Sequence, residues 1–251
     1  MAVQFIHVSK AGGSALRYAI REARKQKGGT LETEWGPIWG HNHQYRLSDL
    51  EEGDVAVFAL RDPVSRFLSG YYSRLRQGLP RYYIRWTKAE RQAFEWFPTP
   101  QDLADALGER WGTKRWRAKL AMQSIRHLNR PMTFWTGKPS YLERNLDRVL
   151  YVARQETLSE DWEKLKELLD LPRGLALTKD EVIAHKTEYT GDRTLSEKGE
   201  SAVRAWYADD YKLLAIGDEV RAGTARPKPA RLTRLASIRG NPDNRRSAAA
   251  G

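Results

Sequence analysis

The stretch FIHVSKAGGSAL, residues 5–16, decides the fold class of this 251-residue chain. A short apolar run ends at Lys10, two glycines and Ser14, and a helical pattern then continues to about Lys27. Glycines let backbone N–H groups approach a ligand closely, and the N-terminus of a helix adds about half a positive charge. The stretch therefore predicts a strand, an anion-binding loop and a helix, with a phosphate-bearing ligand.

This loop differs from a nucleoside-triphosphate loop in the position of its lysine. The Walker pattern, GxxxxGK[ST], places the lysine after the last glycine, followed by a hydroxyl that holds magnesium. Here Lys10 precedes Gly12 and Gly13, and no Walker pattern occurs anywhere in the chain. An ordinary strand-to-helix turn explains the loop residues equally well, so a second motif has to decide between the two interpretations.

The second motif begins with VAVFAL, residues 55–60, a continuous apolar run typical of a buried parallel strand. It leads directly into RDPVSRFLSGYY, where Asp62 suits a helix cap and Pro63 suits the first helical turn. Arg61 is then expected at the C-terminal end of a strand, where open α/β sheets bind ligands. Ser69 follows two helical turns later.

Together, the segments HVSKAGGSAL and LRDPVSRFLSGYY resemble the paired signature of sulfotransferases that use 3′-phosphoadenosine 5′-phosphosulfate (PAPS). The likeness is greatest to the branch that contains the carbohydrate and heparan-sulfate 2-O-sulfotransferases. The resemblance implies a P-loop nucleoside-kinase-like, three-layer α/β fold with a central parallel sheet flanked by helices. It also implies metal-free transfer of a sulfuryl group from PAPS to a hydroxyl acceptor, expected to be a carbohydrate, with release of 3′-phosphoadenosine 5′-phosphate (PAP).

The resemblance also implies a donor site in two parts. In the family, the first loop grips the 5′-phosphosulfate, and the Arg and Ser of the second motif hold the 3′-phosphate. Carried over by position, the donor-binding residues are Lys10, Ala11, Gly12, Gly13, Ser14, Ala15, Arg61 and Ser69. Lys10 would stabilise the charge that develops on the leaving oxygen, and Ala15 lacks the hydroxyl that the family loop carries there. Lys186, in a late polar segment, corresponds to a basic loop that closes over the nucleotide in many sulfotransferases.

Two histidines between the motifs are candidates for the catalytic base. The i, i+2 spacing of His41 and His43 puts both rings on one face of an extended segment, and histidine has the pKa best suited to accept a hydroxyl proton near neutrality. In the resembling branch, the histidine of a Gly-His element at this place is the base, so His41 is our first candidate and His43 the second. A metal-binding pair is the alternative, although no convergent third ligand is apparent. His7 is read as a core histidine whose ring could instead line the nucleotide pocket.

Positive charge is unevenly spread along the chain. The 43 Lys and Arg exceed the 32 Asp and Glu, and residues 221–251 hold seven Arg and one Lys against one Asp. We expect a sulfotransferase domain over residues 1–221 and a basic, flexible tail over 222–251. A basic enzyme suits an anionic donor and an anionic polymer acceptor. Nucleic-acid binding by the tail explains the charge equally well, and it stays open beside a nucleotide-dependent kinase-like enzyme.

Two further features bear on location and on the acceptor. The chain has no cysteine, no apolar stretch of about 20 residues that could span a membrane and no signal-peptide pattern at its start, so we expect a cytoplasmic protein. Residues 80–120 are rich in Trp, Tyr and Arg. Packing of helices beside the sheet is the favoured interpretation of this segment, and contact with a ring-bearing acceptor is the alternative.

Overall fold

The computed structural model describes residues 1–26, 28–80, 82–177 and 194–223. Two predictions therefore concern residues outside the described part: the nucleotide-covering role of Lys186, and the basic tail from residue 224 onward. The last described helix ends at Arg221, close to the predicted domain boundary.

A five-stranded, mostly parallel sheet lies at the centre of the fold, with the strand order β2-β3-β1-β4-β5. The strands are β1 (Val3–Ile6), β2 (Glu32–Thr33), β3 (Gly36–Gly40), β4 (Val55–Leu60) and β5 (Val149–Arg154). Strands β3, β1, β4 and β5 run parallel, whereas β2 pairs antiparallel with β3 at the sheet edge. The predicted α/β class and central parallel sheet are thus confirmed, apart from this short edge strand.

Helices cover both faces of the sheet. They are α1 (Gly13–Gln26), α2 (Pro63–Leu75), α3 (Lys88–Trp96), α4 (Pro100–Leu107), α5 (Thr113–Ser124), α6 (Thr133–Thr136), α7 (Pro139–Arg144), α8 (Leu158–Leu168), α9 (Glu197–Trp206) and α10 (Ala208–Arg221). Helices α1 and α8 bury Leu16 and Trp162 against one face, and α10 buries Leu213 against the other, together with α6 and α7. Within the described residues, no helix has both the length and the apolar character required to cross a membrane.

The residues of α2 explain where this helix begins. The Asp62 carboxylate accepts a hydrogen bond of 2.7 Å from the backbone N–H of Ser65, and Pro63 occupies the first helical turn. The cap satisfies one of the N–H groups that lack a partner within the helix, and proline needs none. The cap and the start of the helix, both predicted from the sequence, are confirmed.

A separate helical cluster forms beside the sheet from α2, α3, α4, α5 and α9. Inside it, the Arg74 guanidinium makes two bonds of 2.7 and 2.9 Å to the buried Glu90 carboxylate. Trp86 and Trp96 pack partly buried against this cluster, as the helix-packing interpretation requires. Trp111 and Trp116 do not, because they are 84% and 58% exposed.

The strand order places a crevice between β1 and β4. From β1 the chain crosses to β3 on one side, and from β4 it crosses to β5 on the other. The carboxyl ends of the strands at such a reversal of direction are where open α/β sheets bind ligands. Lys10 follows β1 and Arg61 follows β4, so both predicted motifs reach this crevice.

Candidate functional site

The loop after β1 has a backbone conformation that suits close approach of a ligand. Lys10 has a φ of +63° and Gly12 a φ of +84°, both in the left-handed region, and the Ala15 N–H closes a turn on the Gly12 carbonyl at 3.1 Å. A Cβ on Gly13 would lie 2.4 Å from Cδ2 of His7. Only glycine therefore allows the His7 ring to pack against the start of α1, whose first N–H groups have no partner within the helix.

The two predicted motifs meet through a direct hydrogen bond. Nη1 of Arg61 donates to the Lys10 carbonyl at 3.3 Å, while Nε and Nη2 donate to Oγ of Ser65 at 3.0 and 2.7 Å. Ser69 lies one helical turn beyond Ser65 and is buried. Ser65 was not predicted as a site residue, although its position four residues after Arg61 in the sequence offered a signal.

An arginine of α2, Arg66, holds the backbone of the same loop. The buried Arg66 guanidinium donates from Nε to the Ser9 carbonyl at 3.0 Å and from Nη2 to the Arg130 carbonyl at 2.5 Å. These partners are carbonyl dipoles rather than carboxylates, so the positive charge of Arg66 is not neutralised by them. No role for Arg66 was predicted from the sequence.

The crevice has a strongly positive electrostatic character. Burial, followed by the nearby charges of Arg61, Arg76 and Arg66, lowers the pKa of Lys10 to about 7. In the part of the chain that the structure describes, neither Lys10 nor Arg66 forms a salt bridge. Because several cations share a confined space, an anion placed among them would relieve their mutual repulsion. The donor set fits a phosphorylated ligand.

A histidine that belongs to neither sequence motif, His127, lies beside this loop. Nδ1 of His127 is 2.8 Å from Oγ of Ser9, and the residue has a φ of +74°. Burial holds the pKa of His127 well below its usual value, with further lowering by Lys10 and Arg66. The segment between α5 and α6 thus contributes to the candidate site, whereas the sequence motifs predicted only the loops after β1 and β4.

His43 lies on the Lys10 side of the sheet. Its ring centroid is 3.8 Å from that of His7, and its Nδ1 is 3.1 Å from the His7 carbonyl. A carbonyl oxygen only accepts, so Nδ1 carries the hydrogen and the neutral ring presents Nε2 as a base. Burial lowers the pKa of His43, the bond to His7 raises it, and Arg17, Arg130 and Lys10 lower it. The net shift is downward, which favours the neutral form of the ring.

The surroundings of His41 differ from those of His43, although the two residues are only two positions apart in the sequence. Its Nε2 is 2.6 Å from Oε1 of Gln4, and Nε2 of Gln4 donates to Oδ2 of Asp54 at 2.6 Å. Its ring stacks on Tyr45 with centroids 3.6 Å apart. Because Asp54 directly precedes β4, this chain of hydrogen bonds leads toward the amino ends of the strands. Burial, followed by the charge of Arg17, lowers the pKa of His41.

The remaining predicted residues divide by exposure. Ala11 and Ala15 are buried, with 0% and 6% of their surface exposed, so their side chains belong to the core. Ser14 lines a cleft of about 220 Å³ along α1 together with His7 and Arg17. Among the described residues, no three His, Cys, Asp or Glu side chains form a group that could hold a metal ion.

The site was also compared with known proteins. No protein-family model matches the chain, and no curated protein matches it at a significant level.

Proposed function

We propose that the protein is a sulfotransferase that moves a sulfuryl group from PAPS to a hydroxyl acceptor, with a carbohydrate as the expected acceptor. The observation that carries the proposal is the contact between the two motifs at the crevice. The hydrogen bond from Arg61 to the Lys10 carbonyl, at 3.3 Å, supports the binding of one donor molecule by both segments. The proposal includes a P-loop nucleoside-kinase-like assignment of the fold, supported by the strand order and by the position of the loop after β1.

The proposed donor is held by charge and by backbone groups. The first N–H groups of α1 and the Lys10 ammonium bind the phosphosulfate end, and Arg61 binds the 3′-phosphate. PAPS supplies an activated sulfuryl group whose transfer leaves negative charge on the 5′-phosphate. Donors fixed in advance around that charge contribute about 3–4 kcal/mol each to such reactions. No metal ion is needed for this charge stabilisation.

His43 is the proposed base. As the acceptor oxygen forms its bond to sulfur, the bond from sulfur to the bridging phosphate oxygen breaks, and the hydroxyl proton passes to Nε2 of His43. The hydrogen bond from Nδ1 to the His7 carbonyl supports this assignment, because it leaves Nε2 as the accepting nitrogen. Partial burial lowers the pKa of the ring, which favours its neutral form. His41 is the second candidate, and its hydrogen bond to Gln4 engages its Nε2.

The proposal is tested by nucleotide binding measured as thermal stabilisation. PAP, AMP and ATP are compared with and without magnesium. A ligand at 100 times its dissociation constant adds about 2.7 kcal/mol to the free energy of unfolding. We expect PAP to stabilise most, and AMP less because it lacks the 3′-phosphate. Arg61→Ala should remove the preference for PAP over AMP, whereas Arg91→Ala on the exposed face of α3 should not. Stronger stabilisation by magnesium-ATP than by PAP would contradict the proposal and favour a kinase.

A further inference from the structure

A groove with cationic and aromatic side chains lies beside His43, bordered by Arg46, Ser48, α6 and α7. Its volume is about 370 Å³, within the usual range for ligand sites. We call it the α6–α7 groove. The groove is lined by the cations Arg46, Lys138 and Arg144, by the Phe134 ring and by hydroxyls such as that of Ser140.

The groove is physically joined to the proposed base. Trp135 forms part of its wall, and the indole Nε1 of Trp135 donates to the His43 carbonyl at 3.0 Å. Arg46 follows His43 by three residues and lines the same space. A molecule held in the groove is therefore next to the segment that presents Nε2 of His43.

The side chains that line the groove carry positive charge and no negative charge, and the nearby Asp49 and Asp210 carboxylates accept from the backbone N–H groups of Arg46 and Thr133. The Arg46 and Arg130 guanidiniums lie over the Phe134 ring, with Cζ 4.1 and 4.5 Å from its centroid. Among the described residues, no salt bridge engages Arg46, Arg130, Lys138 or Arg144, and none of the groove-lining side chains is acidic. Cations so close together repel one another, and a bound anion would offset that repulsion.

We propose that the α6–α7 groove binds the acceptor and selects a saccharide that carries a carboxylate or sulfate group. This inference rests on the proposed function. The hydroxyls that line the groove suit a sugar, and the guanidiniums suit a planar or tetrahedral anion. A nucleic acid is disfavoured, because guanidiniums already lie over Phe134, the ring on which a base would stack.

Calorimetric titration with defined probes tests the groove separately from the donor site. The probes are hexagalacturonate, sulfated maltohexaose, neutral maltohexaose and a single-stranded hexanucleotide. We expect one or both acidic saccharides to bind and maltohexaose to bind at least tenfold more weakly. The comparison of the two acidic probes identifies the preferred anion. The double variant Lys138→Glu, Arg144→Glu should weaken binding of the acidic saccharide at least tenfold and leave PAP binding within twofold.

The matched control is Lys114→Glu, Lys119→Glu on the exposed face of α5, which should change saccharide binding less than threefold. Circular dichroism establishes that each double variant is folded. Equal binding of maltohexaose and the acidic probes, or tighter binding of the hexanucleotide, would overturn the inference. If the protein does not bind PAP but binds the acidic saccharide, and if the groove variant weakens that binding, the proposed function is contradicted. The inference that the groove binds an acidic saccharide is then retained.

Discussion

The two ends of the same sheet treat charge in opposite ways. At the amino ends of the strands, the Asp54 carboxylate accepts from the Ala2 N–H at 2.8 Å and from Gln4 at 2.6 Å, and His41 extends this network. At the carboxyl ends of β1 and β4, Lys10 has cationic neighbours and, among the described residues, no carboxylate partner. At the first end, the Asp54 carboxylate has its hydrogen-bond partners within the protein. At the second end, the described residues supply no negative charge to pair with Lys10.

Helix α2 contains two buried arginines whose partners differ in charge. Arg74 makes a buried bidentate ion pair with Glu90, whereas Arg66, equally buried, bonds to carbonyls. Arg66 forms no salt bridge among the described residues, although the Asp210 carboxylate is near enough to interact with its charge, and a buried charge without a close counter-charge is expensive to keep. The comparison teaches that unneutralised charge marks the candidate site, while paired charge marks the scaffold. The predictions below test that division.

The largest effect is expected from Lys10→Met, which keeps a long side chain and removes the charge. We expect PAP release in the sulfuryl-transfer assay to fall about 10²- to 10³-fold, because a preorganised donor to the leaving oxygen is lost. Chromatographic measurement of PAP formed from PAPS gives the rate. Lys25→Met, at the exposed end of α1, is the control and should keep the full rate. A loss smaller than tenfold in Lys10→Met would show that this lysine does not stabilise the leaving group.

The two histidines test the division between groups that are paired within the protein and groups that are not. His43→Asn should lower turnover about 10²-fold by removing the base, with PAP affinity unchanged. His41→Asn should lower turnover less than threefold, because its ring belongs to the paired network with Gln4. Steady-state rates and PAP titrations of both variants check this. The reverse order of effects would assign the base to His41, the candidate that the sequence favoured.

A smaller effect concerns pH. Burial lowers the pKa of Lys10 to about 7 in the free protein, and bound phosphates should raise it. A group whose pKa rises on binding contributes fully to affinity at pH values below its pKa in the free protein. Its contribution falls as the pH rises above that pKa, because the free group is then deprotonated. We expect PAP affinity to fall about fivefold from pH 7 to pH 8, with proton uptake. Calorimetry in two buffers of different ionisation enthalpy measures this uptake, and persistence of the same uptake in Lys10→Met would disprove its assignment.

Local sequence patterns were enough to predict the elements that carry the motifs. The apolar run of β4, the Asp62 cap and the start of α1 depend on neighbours in the chain, and the structure confirms all three. The two-residue strand β2 could not be predicted, because Glu32 and Thr33 are too short a run to show a period. Its pairing depends on β3 instead.

Only part of the candidate site could be predicted from the sequence. Lys10 and Arg61 were found because each follows an apolar strand. His127 and Arg130 were missed because they reach the site through tertiary packing, from a segment more than 60 residues beyond Arg61. The different surroundings of His41 and His43 were also hidden, since an i, i+2 spacing predicts a shared face and says nothing of the hydrogen-bond partners.

The left-handed backbone of Lys10 has a consequence for engineering. A non-glycine residue at a φ of +63° costs about 1–2 kcal/mol, and the neighbouring cations add to the cost of keeping an ammonium there. A screen that selects for heat resistance alone would therefore replace this lysine with glycine or asparagine. If the proposed function holds, such a screen would yield more stable proteins that lack sulfuryl transfer, so a stabilised library has to be sorted for activity at the same time.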